Sequence, residues 1–140
     1  MGGNALGSMI KVLRSGTFFI SFRNRSRLID AKKIIFIQKD RRKIIFHMVR
    51  KEKGKVVPEK VCVYGVFREI TAGLGDNFLW CHKSYILNMD GVYGFEDNDV
   101  VLKTGERIKL GRDVFRATRN ICFEYMANKR LKTLAYSHHL

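Results

Sequence analysis

The chain has 140 residues, 46% hydrophobic and 29% charged, with 27 Lys+Arg against 13 Asp+Glu and a formal net charge of +14. That length and apolar content predict one globular domain able to bury a core without staples. A charge of this size repels basic partners and draws polyanions, nucleic acid first and an anionic membrane surface second.

The charge is unevenly placed. Residues 1–60 hold 16 Lys+Arg against 4 Asp+Glu, a balance of +12, while residues 61–140 hold 11 against 9, a balance of +2. One basic run usually marks no more than a solvated face. A concentration this large within part of a small domain points to an anionic partner. No stretch reaches the roughly 18 apolar residues of a membrane span, and the N-terminus lacks the apolar core of a signal peptide. Cys62, Cys81 and Cys122 are odd in number and show no C-x-x-C spacing, so a reducing, cytoplasmic setting is expected. Met1-Gly2 opens like a myristoylation signal, but Leu6 occupies the position that needs Ser or Thr. Residues 1–8 read as a cloning remnant, leaving 9–140 as the domain, with its core at about 17–121.

In chain order, Thr17–Phe22 reads as a strand, rich in aromatic and β-branched residues. A basic loop, Arg23–Arg27, and a short extended Leu28-Ile29-Asp30 follow. Lys33–Gln38 and Lys43–Arg50 are predicted strands paired as a hairpin across the basic turn Lys39–Arg42. Lys51–Lys55 is a second charged turn. Val56-Val57 and Val61–Val63 flank Pro58, which suits an edge strand or a bulge. Val66, Phe67 and Ile70 fall at helical spacing, so a short helix is expected over Gly65–Ala72 with Gly73 closing it. Gly91–Phe95 and Val100–Leu102 flank the acidic tip Glu96–Asp99 of another hairpin, and Arg107–Leu110 alternates as a strand. From Asp113, a suitable N-cap, the period becomes helical to about Tyr136. The predicted fold is mainly β, with a short internal helix and a C-terminal helix at about 113–136; it is neither a helix-turn-helix nor a βαβ unit.

The chemistry concentrates in Phe78–Asp90. Two apolar runs, Phe78-Leu79-Trp80 and Tyr85-Ile86-Leu87, flank the polar step His82-Lys83-Ser84. Burial of the runs would hold the step on a rigid surface with its donors outward, which suits an anion-rich partner. The segment also resembles the central signature of the LytTR family of bacterial DNA-binding domains. The match runs through Phe78, His82, Lys83, Ser84, Tyr85, Ile86, Leu87 and Asn88, and departs at Trp80, where the family usually has Arg. Ala31–Gln38 resembles the family's early strand, with Gln38 in place of the usual Glu. Phe67-Arg68-Glu69-Ile70 resembles its short helix, and Val100–Arg112 its late segment. The resemblance spans roughly Phe18 to Ile121.

It implies an elongated multi-sheet β fold whose turns and loops, rather than a recognition helix, enter successive major grooves and bend the DNA. It further implies a two-component response-regulator output domain or a stand-alone regulator, since 140 residues leave no room for a receiver domain. Carried onto this chain, the family's contact positions fall at Arg41, Arg42 and Lys43, at Lys83 and Ser84, and at Arg112. Arg presents a planar fork that fits guanine O6 and N7, whereas Lys gives a looser contact. Arg42 and Arg112 are therefore expected to read bases. Lys43, Ser84 and Arg116 are expected to position phosphates, and Lys83 to do either. The competing reading of each is a solvated surface charge.

His82 and Asn88 are expected to hold structure through hydrogen bonds, with a phosphate contact as the alternative for His82. Cys81 reads as an inert thiol, although its cationic neighbours would favour a thiolate and redox sensitivity. Trp80 either enters the core or leaves a phosphate uncontacted. No paired catalytic carboxylates, nucleophile–base spacing, phosphate loop or metal cluster is found, so no enzyme, cofactor, metal or small-molecule substrate is expected. The expected partner is double-stranded DNA, at repeated sites and with a homodimer on DNA allowed, in a nucleoid-associated cytoplasmic protein. The alternatives are an RNA-binding or ribosome-associated basic protein and a module steering an acidic protein partner.

Overall fold

The computed structural model describes residues 8–14 and 16–138, with side chains over 9–14 and 16–130. Apart from Ser8, the first strand's opening residue, the segment read as a cloning remnant lies outside the described residues. The chain divides into two compact units, with the boundary between Asn88 and Met89.

The first unit holds two antiparallel sheets. One, in the order β1-β2-β3, comprises β1 (Ser8–Arg14), β2 (Thr17–Phe22) and β3 (Arg25–Asp30). The other comprises β4 (Ile34–Asp40), β5 (Lys43–Glu52), β6 (Lys55–Tyr64), β7 (Phe78–His82) and β8 (Tyr85–Asn88), in the order β6-β5-β4-β8-β7. Strand alternation turns one face of each sheet into a shared core, where Phe18, Ile29, Ile37, Phe46 and Ile86 are buried together. Phe18 and Phe46, one from each sheet, bring their ring centroids to 6.0 Å.

Several expectations need correcting. β1 was not foreseen; its inward residues are only Ile10 and the half-buried Val12. Arg25–Arg27 is not loop but the start of β3, paired with β2 through Phe22↔Arg25 and Ile20↔Arg27. Its side chains are exposed because β3 is an outer strand, so the polar sequence hid a paired backbone. The helix expected over Gly65–Ala72 is two separate 3-10 turns, Phe67–Glu69 and Thr71–Gly73. Phe67 and Ile70 are still the buried residues. Gly73 serves close packing rather than a left-handed cap: a Cβ there would stand 2.6 Å from the Phe18 ring.

β6 carries Pro58 on the outermost strand, as its sequence predicts. The Lys53-Gly54 turn has positive φ at both residues and joins the pair Glu52↔Lys55. A two-residue turn of this kind is closed by a hydrogen-bonded pair, and pairs alternate from there. Val49↔Pro58, three steps along, is therefore a non-bonded pair, and the N–H that Pro58 lacks would have pointed away from β5.

The second unit is a three-stranded antiparallel sheet, β9 (Val92–Glu96), β10 (Asp99–Leu102) and β11 (Arg107–Lys109), with β10 central, followed by α1 (Arg112–His138). Phe95 and Phe115 meet edge to face at 5.9 Å. Among the described side chains of α1, Phe115, Thr118 and Cys122, spaced three and four apart, are buried. One turn further, Tyr125 Oη and Lys129 Nζ both donate to Asp90 at 2.9 Å. The helix begins at Arg112, so Asp113 stands inside its first turn rather than capping it, where a carboxylate still favours the positive end of the helix dipole.

Candidate nucleic-acid interface

β4 and β5 are joined by the two-residue turn Arg41-Arg42, closed by the pair Asp40↔Lys43. β7 and β8 are joined by Lys83-Ser84. β4 lies antiparallel to β8 with Gln38↔Tyr85 in register, which sets the end of β4 beside the start of β8. Lys39 N–H then donates to the Ser84 carbonyl at 2.8 Å. Two turns more than 40 residues apart in sequence are thus tied side by side at one end of the five-stranded sheet. Arg41, Arg42, Lys43, Lys83 and Ser84 are brought together there.

Both turns are held from behind. Gly65 N–H donates to the Arg42 carbonyl at 3.0 Å, and the Lys43 ammonium lies 5.9 Å from the centroid of the Tyr64 ring. His82 Nδ1 accepts the Ser84 N–H at 3.0 Å, which fixes the second turn and gives His82 its structural role. Asn88 locks the far end of β8, donating to the Ile34 carbonyl at 2.8 Å and accepting from Asn77 at 2.9 Å. Cys81 is half-buried, and its thiol donates to the Tyr85 carbonyl at 3.7 Å.

Arg41 adopts a φ of +57°. Left-handed backbone costs a side-chain-bearing L-residue roughly 1–2 kcal/mol. Among the described residues, Arg41, Arg42, Lys43, Lys83, Arg112 and Arg116 form no ion pair, although acids neutralise cations elsewhere: Arg27 with Glu59, Arg50 with Glu52 and Glu59, Arg107 with Glu96 and Asp99. Arg112 and Arg116 belong to the second unit, exposed on the first turns of α1.

Behind the first turn, His47 is buried, stacked on Phe36 with centroids 3.9 Å apart, and its Nε2 donates to Gln38 Oε1 at 2.9 Å. Burial, with a smaller push from Lys60, lowers its pKa from 6.5 to about 4, so the imidazole is neutral at neutral pH. The neutral amide of Gln38 suits that state. Lys39, whose ammonium bonds the Gly65 carbonyl, is also lowered by burial, against the opposing pull of Glu69. Trp80 does not enter the core; it is 47% exposed on β7. Among the described residues no three His, Cys, Asp or Glu side chains gather to hold a metal, and no helix is long and apolar enough to cross a membrane.

The LytTr DNA-binding domain family model matches residues 24–122. The chain belongs to the LytTR family. The four stretches that resemble the family fall on β4 with the residues just before it, on the Phe67–Glu69 turn, on β7–β8, and on the run from β10 into α1. A solved structure described as the LytTr DNA-binding domain of a methyl-accepting/DNA response regulator from Bacillus cereus shares this LytTR fold at a TM-score of 0.54 and 14% identity, covering 76% of this chain and 95% of that one. No curated protein matches the sequence. Arg68 and Lys39 escaped the sequence reading. Arg68 was hidden inside a triplet read for its buried neighbours Phe67 and Ile70, and its exposure follows from the 3-10 turn that carries it.

Proposed function

We propose that the chain is a transcription regulator that binds duplex DNA sequence-specifically through its turns, as the output domain of a response regulator or as a stand-alone protein. The observation that carries this reading is the pair of turns held side by side by the Lys39–Ser84 backbone bond, presenting cations that no acid neutralises among the described residues. Arg42, and Arg112 at the start of α1, read guanine edges through their forked donors; Lys43, Ser84 and Arg116 position phosphates, and Lys83 serves either. Repeated sites and pairing of two copies on DNA are part of the same reading, as is residence in the compartment that holds the chromosome.

Selection of bound duplexes from genomic fragments supplies the specific site. The affinity should then fall with salt at a log–log slope of about −0.9 per neutralised phosphate. Arg112→Ala should narrow the gap between specific and random duplex by about 1–3 kcal/mol. An equal loss on both kinds of duplex would remove the base-reading role of Arg112. Preference for structured RNA over every duplex would remove the DNA assignment.

A further inference from the structure

Beyond the two turns, the first unit carries an open groove of about 390 Å³ lined by Lys39, Val66, Phe67, Arg68, Trp80 and Lys83. Phe67 is 4% exposed and forms its floor; Trp80 meets that ring edge to face, with centroids 5.5 Å apart. Trp80 and Val66 leave 47% and 50% of their surface in water. Together they give the groove an exposed apolar surface of the kind found at interaction sites.

The charges around this patch say what covers it. No acid lines the groove. Glu69, next to Arg68 in sequence, has its carboxylate accepting the Val66 N–H at 2.9 Å. The Lys39 ammonium is committed to the Gly65 carbonyl. Arg68 and Lys83 remain, exposed and without ion pairs among the described residues. Lys83 is shared with the β7–β8 turn, so the groove continues the proposed DNA-binding surface rather than forming a separate site. Apolar side chains and free cations lining one groove match the make-up of a nucleic-acid backbone, in which each sugar lies between two phosphates.

We propose that the groove seats a segment of the duplex backbone flanking the bases read by the turns. Trp80 and Val66 cover a deoxyribose, and Arg68 takes the adjoining phosphate. The assignment rests on the DNA-binding reading and extends the footprint along β7 to the Phe67–Glu69 turn.

Trp80 is the sole tryptophan of the chain, so the wild-type protein reports on its own groove. Emission and quenching by acrylamide, a neutral quencher indifferent to the surrounding cations, are measured free and saturated with the selected duplex. Bound DNA should shift the emission and shield Trp80 from the quencher. In salt titrations, Arg68→Gln should make the log–log slope shallower by about 0.9, one phosphate. Trp80→Ala should weaken binding with the slope unchanged. If the duplex binds while Trp80 stays as quenchable as in the free protein and Arg68→Gln keeps the wild-type slope, the groove lies outside the footprint and the turns alone carry binding. If the wild type ignores duplex DNA at low salt, both the groove assignment and the DNA reading are overturned.

Discussion

Two hairpin tips in this molecule solve the same geometric problem with opposite chemistry. The β9–β10 tip turns at Asp97-Asn98, with φ of +54° and +65°. Asp and Asn tolerate left-handed backbone, and such turns favour them. Two of the tip's three acids are paired internally: Arg107 reaches Asp99 at 2.9 Å and Glu96 at 3.1 Å. That bond is the main cause of the lowered Asp99 pKa and of the raised Arg107 pKa. The β4–β5 tip turns at Arg41-Arg42, with Arg41 in a conformation arginine disfavours and no acid paired to either residue among those described. The acidic tip is explained by its own fold. The basic tip has no such internal pairing among the described residues, and unneutralised cations at a tip are what the proposed DNA contact would use.

Acid should separate the two hairpins most strongly. A buried neutral His47 with its pKa lowered to about 4 favours the folded state fully above pH 6.5, and that contribution is lost as pH falls from 6.5 towards 4, where the unfolded chain takes up the proton first. The shift corresponds to a loss of about 3 kcal/mol. Asp99, lowered below 3.8, keeps its contribution down to that value and loses it only as pH drops through its folded pKa. Amide exchange between pH 6.5 and 4 should therefore show protection falling in β4 and β5 and holding in β9 and β10. His47→Phe should flatten the loss in the first pair, and an unchanged pH slope in that variant would assign it to other groups.

On DNA the contrast should reappear as affinity. Arg42→Ala should cost about 1–3 kcal/mol of discrimination between specific and random duplex. Asp97→Ala, at the acidic tip, should leave the discrimination untouched in the same gel-shift series. Equal effects from the two substitutions would dissolve the distinction between the tips. The smallest effect concerns strain. Arg41→Asn should raise the melting temperature, by up to about 1 kcal/mol of stability, because asparagine accepts positive φ more readily. The same variant should bind DNA more weakly, so stability and affinity move in opposite directions.

Much of this arrangement was legible from residue patterns. The Ile- and Phe-rich runs gave β4 and β5, and the apolar runs of the signature gave the burial that frames the Lys83-Ser84 step, with Asn88 as a structural residue. What escaped has physical reasons. β3 begins with Arg25-Ser26-Arg27, whose side chains say loop while their backbone pairs with β2. The Val66–Ile70 spacing fits one helix, but 3-10 turns place the same apolar residues inward, and the approach of Gly73 to Phe18 depends on a contact more than fifty residues away. The cationic candidates were visible one at a time. That the Arg41–Lys43 and Lys83–Ser84 turns are neighbours depends on β4 lying antiparallel to β8, a pairing that local spacing does not encode. Arg68 stayed hidden because its exposure is a property of the turn, not of the residue.

Pro58 has a consequence for life at high concentration. An outermost strand ordinarily offers a row of vacant donors and acceptors on which a stray chain can crystallise into a growing ribbon. On β6 that row is interrupted on its outward side by an imide nitrogen, with Lys55 and Lys60 adding like-charge repulsion along the same strand. The larger sheet thus carries, on its rim, a built-in deterrent to strand-by-strand growth.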